Sequence, residues 1–211
     1  MTRKNRKIPK SVIQRMTRYL TYLQTLQGAG VEWVSSQEIA DALGLTSSTV
    51  RQDLSYIDFS GISKRGYATE GLQEVLSRVL GADTGWRMVV VGAGNLGRAL
   101  AVHEDFARRG FMICGVFDAD KEKIGRRIGP LQIQGTEELS AVVKAENVDI
   151  GIIAVPACSA QAVGDLLIAS GVRGLLNLSS VHIVAPAGTP VVDARVVGSL
   201  LELTHAIKCP A

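Results

Sequence analysis

The most constraining stretch is Met88 to Gly97, MVVVGAGNLG, where an apolar run of strand length feeds a G-x-G-x-x-G pattern at Gly92, Gly94 and Gly97. In a dinucleotide-binding βαβ unit the first glycine makes the tight turn and the second lets the backbone approach a pyrophosphate. The third lets the next helix sit close to the sheet, with its free N–H groups facing the phosphates. Turn-forming glycines alone give the same pattern, so the context decides. Asn95 to Arg109 reads as a helix, Gly110 stops it, and a second apolar strand, Phe111 to Phe117, ends in Asp118. A carboxylate about 20 residues past the last glycine accepts from a ribose 2′-OH and repels a 2′-phosphate. The expected ligand is NAD(H) rather than NADP(H), held by Gly92, Ala93, Gly94, Asn95, Leu96, Gly97 and Asp118.

A chain of 211 residues admits one large or two modest domains, and charge argues for two. The formal net charge is +3, and all of the excess lies in the first 85 residues. Arg3, Lys4, Arg6, Lys7, Lys10, Arg15 and Arg18 precede any acid. A basic arm of this kind suits a phosphate backbone as well as it suits a solvated tail. No apolar core follows it, so it is not expected to be a signal peptide, and no apolar run reaches membrane-spanning length. A soluble, cytoplasmic protein is expected. Cys114, Cys158 and Cys209 have no C-x-x-C spacing, which argues against disulfides or a zinc site. No metal site is expected.

Before the glycine pattern, Val12, Ile13, Met16, Tyr19, Leu20, Leu23 and Leu26 follow a helical period from Pro9 to Gln27, ended by Gly28 and Gly30. Ser35 and Glu38 form a capping box for a second helix that breaks at Gly44. Thr46 caps a third, Ser47 to Tyr56, with Val50 and Leu54 on one side and Ser48, Arg51 and Gln52 on the other. A small residue at Ala40, glycine at Gly44 and an apolar residue at Val50 fit a helix-turn-helix, with a plain helical hairpin as the alternative. Ser47, Ser48, Thr49, Arg51 and Gln52 then supply donors and acceptors for bases and phosphates. The stretch Asp58 to Tyr67 reads as a hairpin wing whose tip carries Lys64 and Arg65 toward a minor groove, or as a solvated loop. Glu70 to Leu80 forms a fourth helix with Leu72, Val75, Leu76 and Val79 inward, and Gly81 to Gly85 is a short linker.

After Asp118 strands and helices alternate. Thr136 caps a helix, Val148 to Val155 is a buried strand, Ser159 to Ala169 a helix, and Gly174 to Leu178 a strand. Strand ends line the crevice of such sheets, so Val155 and Pro156 belong near the nicotinamide half. Cys158 reads as a small buried side chain. His103, His182 and His205 form no evident acid–base pair, and no catalytic residue is expected. Asp193 to Lys208 reads as a final helix, apolar on more than one face. Such a helix packs into a partner or into its own domain; a homodimer is expected.

This order resembles the Rex family of bacterial redox-sensing transcriptional repressors. The resemblance runs through KIPKSVIQR, VSSQEIADALG, STVRQDLSY, RGY, GAGNLGRAL, VFDAD, AVPA, GVRGLLNLS and VVDARV. It implies a homodimer with exchanged C-terminal helices, bound to a palindromic double-stranded operator when NAD⁺ is in excess and released by NADH. Fermentation and respiration genes are the implied targets. Gly92, Gly94, Gly97 and Asp118 match the family's NAD(H)-binding residues, the helix with Arg51 its DNA reader, and Asp193 an aspartate of its switch; Leu200 belongs to the exchanged helix. The chain departs from the family at Thr21, where many members have arginine, and at His103, where some have tyrosine. It also lacks the usual glycine run before Gly66.

The expected architecture is α/β. A winged helix-turn-helix DNA-binding domain (1–80) precedes a doubly wound, Rossmann-type parallel-sheet domain (86–192) and a C-terminal dimerisation helix (193–211). Two other readings use the same residues: an NAD-dependent oxidoreductase with an appended helical domain, and a DNA-binding protein whose glycine loop takes coenzyme A or a sugar nucleotide. Asp118 argues against the latter.

Overall fold

The computed structural model describes residues 7–209, and the chain divides between Thr84 and Gly85 into two compact units. Arg3, Lys4 and Arg6 of the basic arm lie outside the described residues.

In the first unit, helix α1 (Lys10–Gly28) buries Val12, Met16, Tyr19, Leu20 and Leu23, a stripe at helical spacing. A short strand β1 (Trp33–Val34) leads into α2 (Ser36–Leu43) and α3 (Ser47–Leu54). Strand β2 (Tyr67–Ala68) and helix α4 (Thr69–Leu80) complete it. Val34, Ile39, Ala40, Val50, Leu54, Leu72 and Leu76 join the α1 stripe in one core.

Two expectations need correction here. The wing closes as a hairpin with Lys64 and Arg65 at its tip, but on a single antiparallel bridge between Ile62 and Gly66, and the strand after the tip, β2, pairs antiparallel with β1. Five residues from Ile62 to Gly66 leave no room for a longer ladder, so the partner comes from before α2. Val79 is 38% exposed, because α4 seats Leu72 and Leu76 and ends at the left-handed cap Gly81 with Val79 uncovered.

The second unit is one sheet with helices on both faces. Its elements are β3 (Trp86–Val91), α5 (Asn95–Ala101), α6 (Glu104–Arg108), β4 (Phe111–Asp118), β5 (Arg127–Ile128) and β6 (Leu131–Gly135), then α7 (Leu139–Ala145) and β7 (Ile150–Ile153). Helix α8 (Ala157–Ser170), β8 (Gly174–Asn177), β9 (Val191–Asp193) and α9 (Val196–Lys208) follow. The strand order is β5-β6-β4-β3-β7-β8-β9. All pairs are parallel except the β5–β6 edge hairpin, which the sequence reading missed. From β6 to β9 this is the doubly wound order, and it reverses between β3 and β7.

Period two along β3 supplies both cores. Val89 and Val91 pack with Leu139, Val143, Ala160 and Leu167 of α7 and α8. Met88 and Val90 face the other way, toward Leu100, Ala101 and Phe106 of α5 and α6. The helix expected from Asn95 to Arg109 is therefore two helices. His103 is extended, and the break lets Phe106 turn onto the Met88–Val90 face. Thr136 does not cap α7; it opens a 3₁₀ turn in which Glu138 accepts the N–H of Gly135.

Asp193 is not helical. It ends β9, which pairs with β8 through Leu175↔Val191, Leu176↔Val192 and Asn177↔Asp193. Two β-branched residues before an acid are too short a signal to read by period; backbone pairing with β8 makes the strand. The C-terminal helix starts at Val196 instead of at Asp193.

Candidate functional site

Each unit carries a candidate site. In the first, local chemistry sets up α3. The capping box is present, Ser35 accepting the N–H of Glu38 while Glu38 accepts the N–H of Ser35. Burial slightly opposes the charge on Glu38, but the two Ser35 bonds dominate and hold its carboxyl below the usual range. Gly44 takes the left-handed conformation that ends α2. Thr46 Oγ1 accepts the N–H of Thr49 at 3.2 Å and lies 2.9 Å from Ser48 Oγ and 2.8 Å from Thr49 Oγ1. These hydroxyls are thus pre-ordered at the end of α3 that a reading helix presents to bases.

Val50, Asp53 and Leu54 are the buried face of α3. Ser48, Arg51 and Gln52 are exposed, and Ser47 and Thr49 half-buried. Arg51 Nη1 donates to Ser36 Oγ at 3.2 Å, which braces the guanidinium without burying it. At the wing tip Lys64 takes a positive φ of 65° and stays exposed, while the Arg65 guanidinium lies 3.9 Å from the Trp33 ring centroid. That cation–π contact fixes one tip cation, while Lys64 is exposed.

Arg15 and Arg18, read from the sequence as part of a phosphate-facing arm or a solvated tail, are bonded within the first unit, Arg15 half-buried and Arg18 exposed. Arg18 Nη2 donates to the Leu43 carbonyl at the end of α2. Arg15 forms a bidentate pair with Asp53, at 2.6 and 2.7 Å. Sequence reading missed Asp53; its signal was an acid at i+3 from buried Val50, on the apolar side of the helix.

In the second unit the glycine loop follows β3 at the switch point. Gly92 has φ +106°, and a Cβ there would overlap the Ala154 carbonyl oxygen. A Cβ on Gly97 would overlap the carbonyl oxygen of Gly92, so α5 rests on the turn itself. A Cβ on Gly94 would meet nothing within 4 Å. The outer glycines are packed and the middle one faces open space, as a cradle for a pyrophosphate requires. No side chain caps α5, and Asn95 and Leu96 are exposed beside the opening.

Asp118 ends β4. Its Oδ2 accepts the N–H of Ala93 at 2.7 Å and lies 3.2 Å from Lys123 Nζ; its Oδ1 accepts the N–H of Asp120 at 2.9 Å. Burial opposes its charge, but the N–H groups of Asp120 and Ala93 and the Lys123 ammonium outweigh it and hold the carboxyl below the usual carboxylate range. Lys123 also lies 3.4 Å from Asp120. The sequence reading missed this cation, for which the signal was its alternation with acids in DADKEK.

Ala154 donates its N–H to Val91 O, bringing the end of β7 beside the glycine loop, and the Val155 side chain borders Gly92. Val155, Pro156 and the loop residues are therefore together at the switch point. Cys158 is not buried as expected; it is exposed, because α8 begins at Ala157 and its first turn points out of the sheet.

At the far edge Asp193 Oδ1 accepts from Asn177 Nδ2 at 2.7 Å, and its Oδ2 lies 3.3 Å from Arg195 Nη2 and 3.5 Å from His182 Nδ1. The His182–Asp193 contact is an imidazole–carboxylate pair that the sequence did not disclose. The Asn177 bond holds the Asp193 carboxyl below its ordinary value against a small burial cost, with help from Arg195 and His182. On α9 no residue is buried, and Leu200 is 53% exposed. Among the described residues no helix is long and apolar enough to cross a membrane.

A winged helix with a polar, cationic reading helix, on one chain with a doubly wound sheet whose glycine loop lies open at the switch point, defines a ligand-responsive DNA-binding regulator. Known proteins agree. A family model described as "Putative DNA-binding protein N-terminus" matches residues 7–55, and one described as "CoA binding domain" matches residues 83–181. The redox-sensing transcriptional repressor Rex of Carboxydothermus hydrogenoformans is 42% identical over 96% of this chain and 97% of that one. Rex of Desulforamulus reducens is 41% identical over 96% and 97%.

Among solved structures, RSP in complex with β-NAD⁺ and operator DNA matches with a TM-score of 0.91 and 29% identity, over 96% of this chain and 94% of that one. RSP in complex with β-NADH matches with a TM-score of 0.88 and 30% identity, over 96% and 95%. The chain belongs to the Rex family of redox-sensing transcriptional repressors.

Proposed function

We propose that this chain represses transcription as a homodimer that binds a palindromic operator through α3 and the wing, and leaves it when NADH occupies the glycine loop. The observation that carries the reading is the Gly92–Gly94–Gly97 cradle, open at Gly94 and tied to Asp118 through Ala93. Asp118 stands where a ribose hydroxyl of NAD(H) is held, which favours this cofactor over the coenzyme A suggested by the model for the second unit. The solved relatives with NAD⁺, NADH and operator DNA support the same assignment. Ser47, Ser48, Thr49, Arg51 and Gln52 read the DNA, and Lys64 and Arg65 contact it from the wing. A repressor works where its operator is, in the cytoplasm.

NADH releases DNA only if it binds the DNA-incompetent arrangement of the dimer better than the competent one. A usable switch needs a difference of a few kcal/mol, about 5.5 kcal/mol for a complete reversal of populations. NAD⁺ and NADH differ in charge only at the nicotinamide. The discrimination therefore arises near Val155 and Pro156 and is passed to the dimer through Asp193 and α9, where Leu200 lies in the seam.

The test is fluorescence anisotropy on a labelled palindromic duplex selected from random DNA, titrated separately with NADH and NAD⁺. Salt is fixed because phosphate contacts make affinity steeply salt-dependent. Release by micromolar NADH and not by NAD⁺ is the expected result; tight binding indifferent to both overturns the reading.

A further inference from the structure

The carboxylate of Asp53 is 2% exposed, on a helix whose other buried residues, Val50 and Leu54, are apolar. Three hydrogen bonds reach it from one face of α1: Arg15 Nε at 2.6 Å, Arg15 Nη2 at 2.7 Å and Tyr19 Oη at 2.6 Å. One turn along, Arg18 donates to the Leu43 carbonyl at the end of α2. The first helix thus grips both members of the helix-turn-helix. The Asp53 bond raises the Arg15 guanidinium above its ordinary value, and burial followed by the Asp53 bond does the same for the Tyr19 phenol.

A buried ion pair is a poor source of stability, since desolvation offsets most of the attraction and well-packed apolar residues often do as well. Apolar contacts are also non-directional. Val50 and Leu54 hold α3 against the core without a directional bond. A bidentate guanidinium–carboxylate pair has a fixed geometry. Asp53 lies one residue from Gln52 and two from Arg51, so any rotation it prevents would swing both across the groove floor.

We propose that the Arg15–Asp53–Tyr19 cluster is a positioning device that fixes the rotation of α3 and thereby sets operator discrimination rather than the stability of the fold. The inference rests on the reading of α3 as the DNA-reading helix. Arg15, Tyr19 and Asp53 touch no DNA in this role; they act through Ser48, Arg51 and Gln52.

Two full-length variants test it. Arg15→Lys keeps the charge but loses the two-pronged geometry, and the triple variant Arg15→Met/Tyr19→Phe/Asp53→Leu replaces the whole cluster by apolar groups, so that no buried hydroxyl is left without its acceptor. Each is measured for melting temperature, NADH affinity by fluorescence, and anisotropy on operator and on random duplex at one salt concentration. The expected result is a melting temperature near that of the wild type, unchanged NADH affinity and unchanged random-duplex binding. Operator affinity should fall about ten-fold, the size of one lost base contact. Wild-type discrimination by the folded variants overturns the proposal, and so does failure of both to fold, which would make the cluster a folding determinant. A wild-type chain that does not distinguish operator from random duplex overturns the reading of α3 itself, and the inference with it.

Discussion

Asp118 Oδ2 accepts the N–H of Ala93 at 2.7 Å, so the acid that closes β4 also holds the loop that follows β3. One carboxylate thereby holds the shape of the glycine cradle and, under the proposed function, accepts from a ribose hydroxyl. Asp118→Ala is expected to lower NADH affinity by about ten- to a hundred-fold, since a hydrogen bond to a charged group contributes about 1.5–3 kcal/mol. Operator affinity without cofactor should be retained. Fluorescence titration and anisotropy read the two separately, and equal loss of both would mean that the substitution unfolds the chain.

Because the folded chain holds the Asp118 carboxyl below its ordinary value, its charge contributes stability that is fully present above the unfolded value of about 3.9. That contribution is lost as pH falls through the lower folded value. The difference in melting temperature between wild type and Asp118→Asn should therefore be constant at neutral pH and shrink on acidification below about pH 4. A difference that grows on acidification contradicts this account.

Gly94 and Gly97 should respond oppositely to an added methyl group. At Gly97 a Cβ overlaps the Gly92 carbonyl oxygen, whereas at Gly94 it meets nothing within 4 Å. Gly97→Ala is expected to lower the melting temperature, by about 2–4 °C per kcal/mol of lost stability for a chain of this size. Gly94→Ala should melt like the wild type yet bind NADH weakly, because its methyl group stands where the pyrophosphate approaches. Calorimetry with and without NADH distinguishes the two.

Arg51 is exposed and only braced by Ser36, so its loss should cost recognition and not folding. Arg51→Ala is expected to weaken operator binding at least about ten-fold, as for a lost base or phosphate contact of 1–3 kcal/mol, with NADH affinity intact. A normal gel shift would remove α3 as the reading helix.

Helix α9 has Val196 at 75%, Leu201 at 65% and Ile207 at 69% exposure, an apolar surface on more than one face, of the kind that packs into a partner. Leu200→Glu should shift the chain from dimer to monomer in analytical ultracentrifugation. Operator affinity should fall with it, since a palindrome is read by two linked domains.

Much of this molecule is local and was legible in the order of its residues. The Ser35–Glu38 capping box, the turn at Gly44 and the cap at Thr46 depend on neighbours within four positions. The Val50 and Leu54 face follows from helical spacing, and the spacing of Gly92, Gly94 and Gly97 specifies a turn whatever surrounds it. Those features located α3 and the cofactor loop. What they could not disclose involves partners far along the chain. Asp53 looks like any surface acid until α1 folds over it and Arg15 neutralises it. Arg15 and Arg18 look like a basic arm until their guanidinium groups find Asp53 and the Leu43 carbonyl. Asp193 reads as the start of a helix until β8 offers its backbone, and Asn95 to Arg109 as one helix until Phe106 must reach the sheet. Local preference is fixed by a few bonded neighbours, whereas burial, ion pairing and strand pairing are decided by which distant residues the packed core brings within reach.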